Sequence, residues 1–208
     1  MLVKADPTFY GARNFVAVHD LVYFQTQHAD VWRTDGTDAG TFVLPIKDFM
    51  HIPTAAGNFL YFFINRPSIK ELWRSDGTPS GTGEISTFYP KKSSLYNPVA
   101  VSSNILYFVA DDGVSRNEVW RTDGTDAGTY QVADLNSADN PAPSSSFVED
   151  DIRSLAIWNG HLYIGAFDDT DQWALYKSDG TKGNAVKVID LFNSVEKMIP
   201  TGNRLHFF

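Results

Sequence analysis

The sequence predicts an all-β fold, a β-propeller built of four-stranded antiparallel blades. Three observations predict it. One strand-and-turn motif is written four times: Val31-Trp32-Arg33-Thr34-Asp35-Gly36-Thr37, Leu72-Trp73-Arg74-Ser75-Asp76-Gly77-Thr78, Val119-Trp120-Arg121-Thr122-Asp123-Gly124-Thr125, and an altered copy, Leu175-Tyr176-Lys177-Ser178-Asp179-Gly180-Thr181. A second pattern, apolar–Tyr–apolar, precedes each copy. The turn aspartates fall at 35, 76, 123 and 179, so the copies recur every 41 to 56 residues. That period suits a four-stranded propeller blade.

The elements of one unit follow in order. Each unit opens on a short run with a turn: Val16 to Asp20, Ile52 to Asn58, Val99 to Asn104, Leu155 to Gly160, and Ile199 to Asn203. Ala17, Thr54, Ala100 and Ala156 hold matching places there, small residues for the crowded strand beside a propeller's central channel. The second strand is Val22-Tyr23-Phe24, Leu60-Tyr61-Phe62, Leu106-Tyr107-Phe108 and Leu162-Tyr163-Ile164, with Leu205-His206-Phe207 as a fifth. The third strand is the repeated motif, whose apolar, aromatic, basic and hydroxyl residues alternate between two faces. Asp-Gly closes it, because Gly takes positive φ at little cost and Asp can accept from N–H groups two residues on. Gly40-Thr41, Gly81-Thr82 and Gly128-Thr129 come next, with Gly183-Asn184 in the fourth copy. The fourth strand is Phe42-Val43-Leu44, Tyr130-Gln131-Val132 or Val186-Lys187-Val188. Strand, Asp-Gly turn and strand make a β-hairpin.

The chain reads as a single propeller domain or segment over 1–208. Its repeats lie at about 15–48, 52–88, 99–135 and 152–191, with a partial fifth formed by 198–208 together with 2–6. Leu2-Val3-Lys4-Ala5-Asp6 matches a closing strand such as Val186-Lys187-Val188-Ile189-Asp190. Either the two ends share a blade and close five blades, or the chain is a segment of a larger propeller. The shared blade would lack its Trp-x-x-Asp-Gly-Thr strand, which favours the segment. The run from Asn136 to Asp151, with Pro141, Pro143 and three serines, reads as a surface excursion.

Composition narrows the function. The 208 residues are 43% hydrophobic and carry 15 Phe, 9 Tyr and 5 Trp, enough to fill interfaces between stacked sheets. A net charge of −8 argues against nucleic acid or an anionic membrane as partner. No run approaches ~18 apolar residues, so no transmembrane segment is expected. Leu2-Val3-Lys4-Ala5-Asp6-Pro7 has no apolar core of a signal peptide. The absence of cysteine removes disulfides, thiolate metal sites and cysteine nucleophiles.

The motif resembles the E-L-W-x-x-D-G-T repeat family. Glu71-Leu72-Trp73-Arg74-Ser75-Asp76-Gly77-Thr78 fits its whole pattern, Glu118-Val119-Trp120 and Asp30-Val31-Trp32 are near fits, and Tyr176 and Lys177 depart from it. The resemblance implies a propeller-like array in long bacterial proteins that are secreted or surface-borne. It supplies no agreed activity, so it assigns no catalytic residue.

Each chemical signal has a plain structural alternative. The turn residues Asp35 and Gly36, Asp76 and Gly77, Asp123 and Gly124, and Asp179 and Gly180 could form a ring of ligand carboxylates. Their presence in every unit favours turns in which Asp caps its own backbone. The bases Arg33, Arg74, Arg121 and Lys177 would pair with a neighbouring acid or stack on an adjacent aromatic. Asp111 and Asp112, and Asp168, Asp169 and Asp171, make oxygen-rich hairpin tips, so calcium is the metal they would take and no other cofactor is implied. Solvated turns are the simpler reading of both tips. Trp158 and Trp173 lie outside the repeated Trp position and could bind a ligand as aromatic platforms. No nucleophile elbow, phosphate loop or dinucleotide fingerprint appears.

The expected function is therefore a non-catalytic interaction or adhesion scaffold of an extracellular or cell-surface bacterial protein. Its partner would be a protein or glycan at the cell surface, within a larger surface assembly. A lectin-like carbohydrate-binding propeller is the first alternative, resting on Trp158 and Trp173. A hydrolase with carboxylates at the channel mouth is the second.

Overall fold

The computed structural model describes residues 11–48, 50–89, 98–114, 117–135, 152–168 and 172–208, without the Lys47 side chain. All regular structure in them is β-strand. The chain divides into two compact units, Met1–Thr87 and Phe88–Phe208.

In the first unit, β1 (Arg13–Val18), β2 (Leu21–Gln25), β3 (Asp30–Thr34) and β4 (Phe42–Lys47) form one sheet in chain order. A second sheet follows the same order with β5 (His51–Ala56), β6 (Phe59–Asn65), β7 (Lys70–Ser75) and β8 (Gly83–Phe88). The second unit holds β9 (Val99–Ser102), β10 (Ile105–Asp111), β11 (Asn117–Thr122) and β12 (Tyr130–Ala133), then β13 (Ile152–Trp158), β14 (His161–Phe167), β15 (Trp173–Ser178) and β16 (Ala185–Leu191). A two-stranded sheet of β17 (Met198–Thr201) and β18 (Arg204–Phe207) completes the described residues. Four up-and-down antiparallel blades and a two-stranded fifth sheet are the expected propeller architecture. The strands begin and end within about two residues of the repeats read from the sequence. Residues 2–6, expected to join the fifth blade, lie outside the described residues.

One register runs through all four full blades. Tyr23 pairs with Arg33, Tyr61 with Arg74, Tyr107 with Arg121 and Tyr163 with Lys177. The pairing of third and fourth strands shifts at one place in three blades, opposite Asp30 to Trp32, Val119 to Trp120 and Leu175 to Tyr176, where the fourth strand carries the extra residue or residues. The second strand of the second blade is apolar on both of its faces. Leu60, Tyr61, Phe62, Phe63 and Ile64 are all buried.

Blades pack face to face inside each unit. In the first, Leu44 and Ile46 of β4 share a core with Leu60, Phe62 and Ile64 of β6. In the second, Val132 and Ala133 of β12 share one with Leu162, Ile164 and Ala174. A smaller cluster joins Ala156, Tyr163 and Leu175 to Val195 and Met198 at the fifth sheet. The small first-strand residues are not uniformly crowded: Ala100 and Ala156 are buried, Thr54 is half-buried and Ala17 is exposed. The crowding expected at that position is thus met only in the second unit.

Candidate functional site

The repeated turns are built identically. The Asp Oδ1 accepts both the backbone N–H and the hydroxyl of the Thr two residues on, at 2.9 and 2.7 Å for Asp35–Thr37 and 2.8 and 2.7 Å for Asp76–Thr78. The distances are 2.9 and 2.6 Å for both Asp123–Thr125 and Asp179–Thr181. The preceding hydroxyl of Thr34, Ser75, Thr122 or Ser178 accepts the glycine N–H. Donation by the threonine hydroxyl holds the Asp35, Asp123 and Asp179 carboxyls below their usual range. Each carboxylate is thus engaged by its own turn. The bases behave as one alternative foresaw: Arg33 lies 4.3 Å over Phe42, Arg74 4.7 Å over Phe59 and Arg121 5.1 Å over Tyr130.

The turn also has a seat. In the first unit, the buried Gly77 of the second blade comes down on the first blade, beside Leu21, Tyr23 and Arg33. A methyl group added there would sit 2.5 Å from Leu21 Cδ1, and Tyr23 Oη donates to Ser75 O at 3.5 Å. In the second unit, Gly180 of the fourth blade comes down on the third. Tyr130 Oη donates to Gly180 O at 3.2 Å, Gly183 N donates to Val132 O at 2.9 Å, and a methyl on Gly180 would lie 2.2 Å from Tyr107 Oη. Burial of these phenols pushes the pKa of Tyr23 and Tyr107 upward. The two seats use the same face of a blade: Leu21, Tyr23 and Arg33 in the first unit, and Tyr107, Tyr130 and Val132 in the second, with Tyr23 and Tyr107 at the same register position.

The fourth blade has the same surface in open form. An open cleft of 260 Å³ is lined by His161, Lys177, Ser178, Asp179, Asn184, Val186 and Val188. By register, His161 holds the place of Leu21, Lys177 that of Arg33, Val186 that of Phe42 and Val188 that of Leu44. Leu44 and Val132 are 1% and 0% exposed, whereas Val188 is 53% exposed. Asn184 Nδ2 donates to Asp179 Oδ2 at 2.8 Å, which orients the acid at the rim. An aliphatic floor with acid, base, amide and imidazole at the rim can take a polypeptide segment that is partly apolar and partly polar. The sequence contained the signal in the fourth copy's departures, His161 for an apolar residue and Val186 for an aromatic. It became legible as a surface only once the register was known.

The residues singled out from the sequence fall elsewhere. Trp158 pairs with His161 at one end of β14, and Trp173 pairs with Phe167 at the other. Six residues of strand separate those ends, about 20 Å, so the two rings cannot hold one sugar together. Trp158 Nε1 donates to Gly202 O at 3.1 Å, and Trp173 meets Phe167 edge-on at 5.5 Å with Arg153 5.1 Å over its ring. Asp111 accepts from Gly113 N at 2.7 Å and Asp112 from Val114 N at 2.8 Å, so both cap their own loop. Asp168 is buried and turned inward: Tyr176 Oη donates to it at 2.6 Å and Lys187 Nζ stands 2.6 Å away, itself 2.9 Å from Asp190. Burial and the Asp168 acceptor raise the Tyr176 pKa, and the two acids raise that of Lys187. Asp169 and Asp171 lie outside the described residues. Among the described residues no group of three His, Asp or Glu side chains is placed to hold a metal ion.

Comparison with known proteins agrees on architecture. No protein-family model matches the chain, and no curated protein does. Among solved structures it resembles one described as a structural and mechanistic analysis of two prolyl endopeptidases. The TM-score is 0.50 at 15% identity, covering 93% of this chain and 30% of that one. It also resembles a nidogen/laminin complex, with TM-score 0.45, 12% identity, and 95% and 69% of the two chains covered. A third is an exo-β-1,3-galactanase from Phanerochaete chrysosporium, with TM-score 0.43, 10% identity, and 95% and 55% covered. The chain thus spans under a third of the first structure and just over half of the third. At these identities the first likeness supports the propeller fold, and none bears on activity. The chain is an all-β propeller-type array of blades.

Proposed function

We propose that this chain is a non-catalytic interaction module, a propeller-type scaffold that binds a protein partner through the exposed face of its fourth blade. The observation that carries this reading is a run of exposed apolar side chains beside the polar-rimmed cleft. Val186, Val188, Ile189 and Phe192 are 64%, 53%, 56% and 104% exposed. Val186 and Val188 line that cleft, and exposed apolar surface with a polar rim suits an interaction site. The repeated acids and bases meanwhile serve turns and ring stacking. The resemblance to the E-L-W-x-x-D-G-T repeats supports placing the module in a bacterial secreted or surface protein.

The test is affinity capture from a surface extract with the wild-type chain and with V186D/V188D. A protein held by the wild type and released by the variant is the expected result. Glycan-array binding that survives V186D/V188D and is lost in W173A would favour the sugar-binding alternative. Hydrolysis of a glycoside or peptide panel would contradict the non-catalytic reading.

A further inference from the structure

We propose that the bonds of the repeated turn keep its Asp-Gly step from rearranging, and that spontaneous modification of this chain is left to one exposed step, Asn159-Gly160, between β13 and β14. This goes beyond the interaction-module reading and is independent of it.

The chain writes Asp-Gly five times, at 35, 76, 112, 123 and 179, and Asn-Gly once, at 159. Both steps are chemically fragile, because glycine has no side chain to shield its nitrogen. That nitrogen, once deprotonated, attacks the side-chain carbonyl carbon and closes a succinimide ring. Ammonia leaves from asparagine, and water leaves from a protonated aspartic acid. Water then opens the ring at either carbonyl. The products are aspartate and isoaspartate; in isoaspartate the main chain runs through Cβ and is one carbon longer. Net, asparagine consumes one water and releases one ammonia, while aspartate isomerises.

The reaction needs a free nitrogen, an uncharged side chain and room for that side chain to swing onto the nitrogen. The repeated turn denies all three. Its glycine N–H donates to the preceding hydroxyl, at 3.0 Å for Gly36 to Thr34 and 2.9 Å for Gly124 to Thr122. The carboxyls of Asp35, Asp123 and Asp179 are held ionised by their threonines, and a carboxylate is a poor electrophile. The rotamer is fixed as well, because in three copies a glycine lies against the carboxylate. A methyl on Gly40, Gly81 or Gly128 would stand 2.0, 2.1 or 2.0 Å from a carboxylate oxygen. In the fourth copy Asn184 Nδ2 donates to Asp179 Oδ2 instead. Asp112-Gly113 is tied in a similar way, with Gly113 N donating to Asp111 Oδ1 and Val114 N to Asp112 Oδ1.

Asn159-Gly160 meets every condition. Its amide carries no charge. Among the described residues, neither the Asn159 side chain nor the Gly160 N–H has a hydrogen-bond partner. The contact of His161 Nδ1, at 2.9 Å, goes to the Asn159 carbonyl. Both residues are exposed, and a methyl on Gly160 would meet nothing within 4 Å. The same turn is exposed at Asn58 and Asn104 in the second and third blades, so the exposure belongs to the blade. There the asparagine is followed by Phe59 or Ile105, whose side chains shield the nitrogen.

The test incubates the full chain at mildly alkaline pH, folded and in urea, and locates isoaspartate by digestion and electron-transfer mass spectrometry. Folding should slow its formation by on the order of a hundredfold or more at Asp35 and Asp123, and by less than about tenfold at Asn159. T34V/T37V, checked for its fold by circular dichroism, should raise isoaspartate at Asp35 about tenfold and leave Asn159 unchanged. An unchanged Asp35 in the folded variant would overturn the proposal. So would an Asn159 that folding protects as strongly as Asp35. The second comparison uses the wild-type chain alone, so it decides even if T34V/T37V does not fold.

Discussion

Single residues account for the repeat's shape. Glycine after the turn aspartate has φ of 89° at Gly36 and 84° at Gly180, a region that costs other residues about 1 kcal/mol or more. The two positions differ in surroundings: a methyl meets nothing within 4 Å at Gly36 but lies 2.2 Å from Tyr107 Oη at Gly180. G36A should therefore cost ~1 kcal/mol and G180A ~3 kcal/mol or more by denaturant unfolding. Equal costs would remove the seat from the explanation. The aspartates carry a pH signature. Their folded pKa is lowered, so their contribution is complete above the unfolded value of about 3.9 and is lost as pH falls through the lowered value. Replacing Asp35, Asp123 and Asp179 by Asn should flatten the acid limb of the stability curve below about pH 4. Lys70 gives the opposite limb: burial pushes its ammonium down to about 8. The unfolded chain holds that proton up to about pH 10.4, so stability should rise with pH between those values and K70M should abolish the rise.

At the scale of elements, the hairpin is the unit that the sequence made legible. Its turn chemistry is local, with Asp, Gly and Thr within three residues of one another, so the sequence predicted the bond from the Thr N–H to the Asp carboxylate, though not those made by the hydroxyls. The fate of Asp168 was not legible, because its partners Tyr176 and Lys187 arrive from β15 and β16 through register. An oxygen-rich tip read as a candidate calcium loop holds, at this residue, an inward ion pair that ties the end of β14 to β16. D168N should destabilise the chain by ~1–2 kcal/mol in thermal unfolding, less than a fully buried pair because Lys187 is one-third exposed. A neutral result would leave the cluster without a structural role. Trp158 and Trp173 likewise belong to one unit of the sequence, whose strand directions are set by register. Strand direction carries them to opposite ends of the blade.

For the molecule as a whole, periodicity carried the architecture. Four recurring hairpins, each preceded by two strands, become four blades with one register, and the seats follow from stacking them. The fourth blade's open face was hidden for the same reason: no single substitution announces it, only the joint exposure of Val186, Val188 and Ile189. V188D should change stability by less than ~0.5 kcal/mol, whereas V132D, the same place in the third blade, should prevent that blade from packing on the fourth. The most direct measurement is amide hydrogen exchange at Gly183, whose N–H crosses from the fourth blade's turn to Val132 O on the third. Gly183 is solvent-exposed, so only that bond between blades can slow it. Exchange at least a hundredfold slower than that of the same amide in an unstructured chain is expected, and exchange at the unstructured rate would contradict a turn held by the preceding blade.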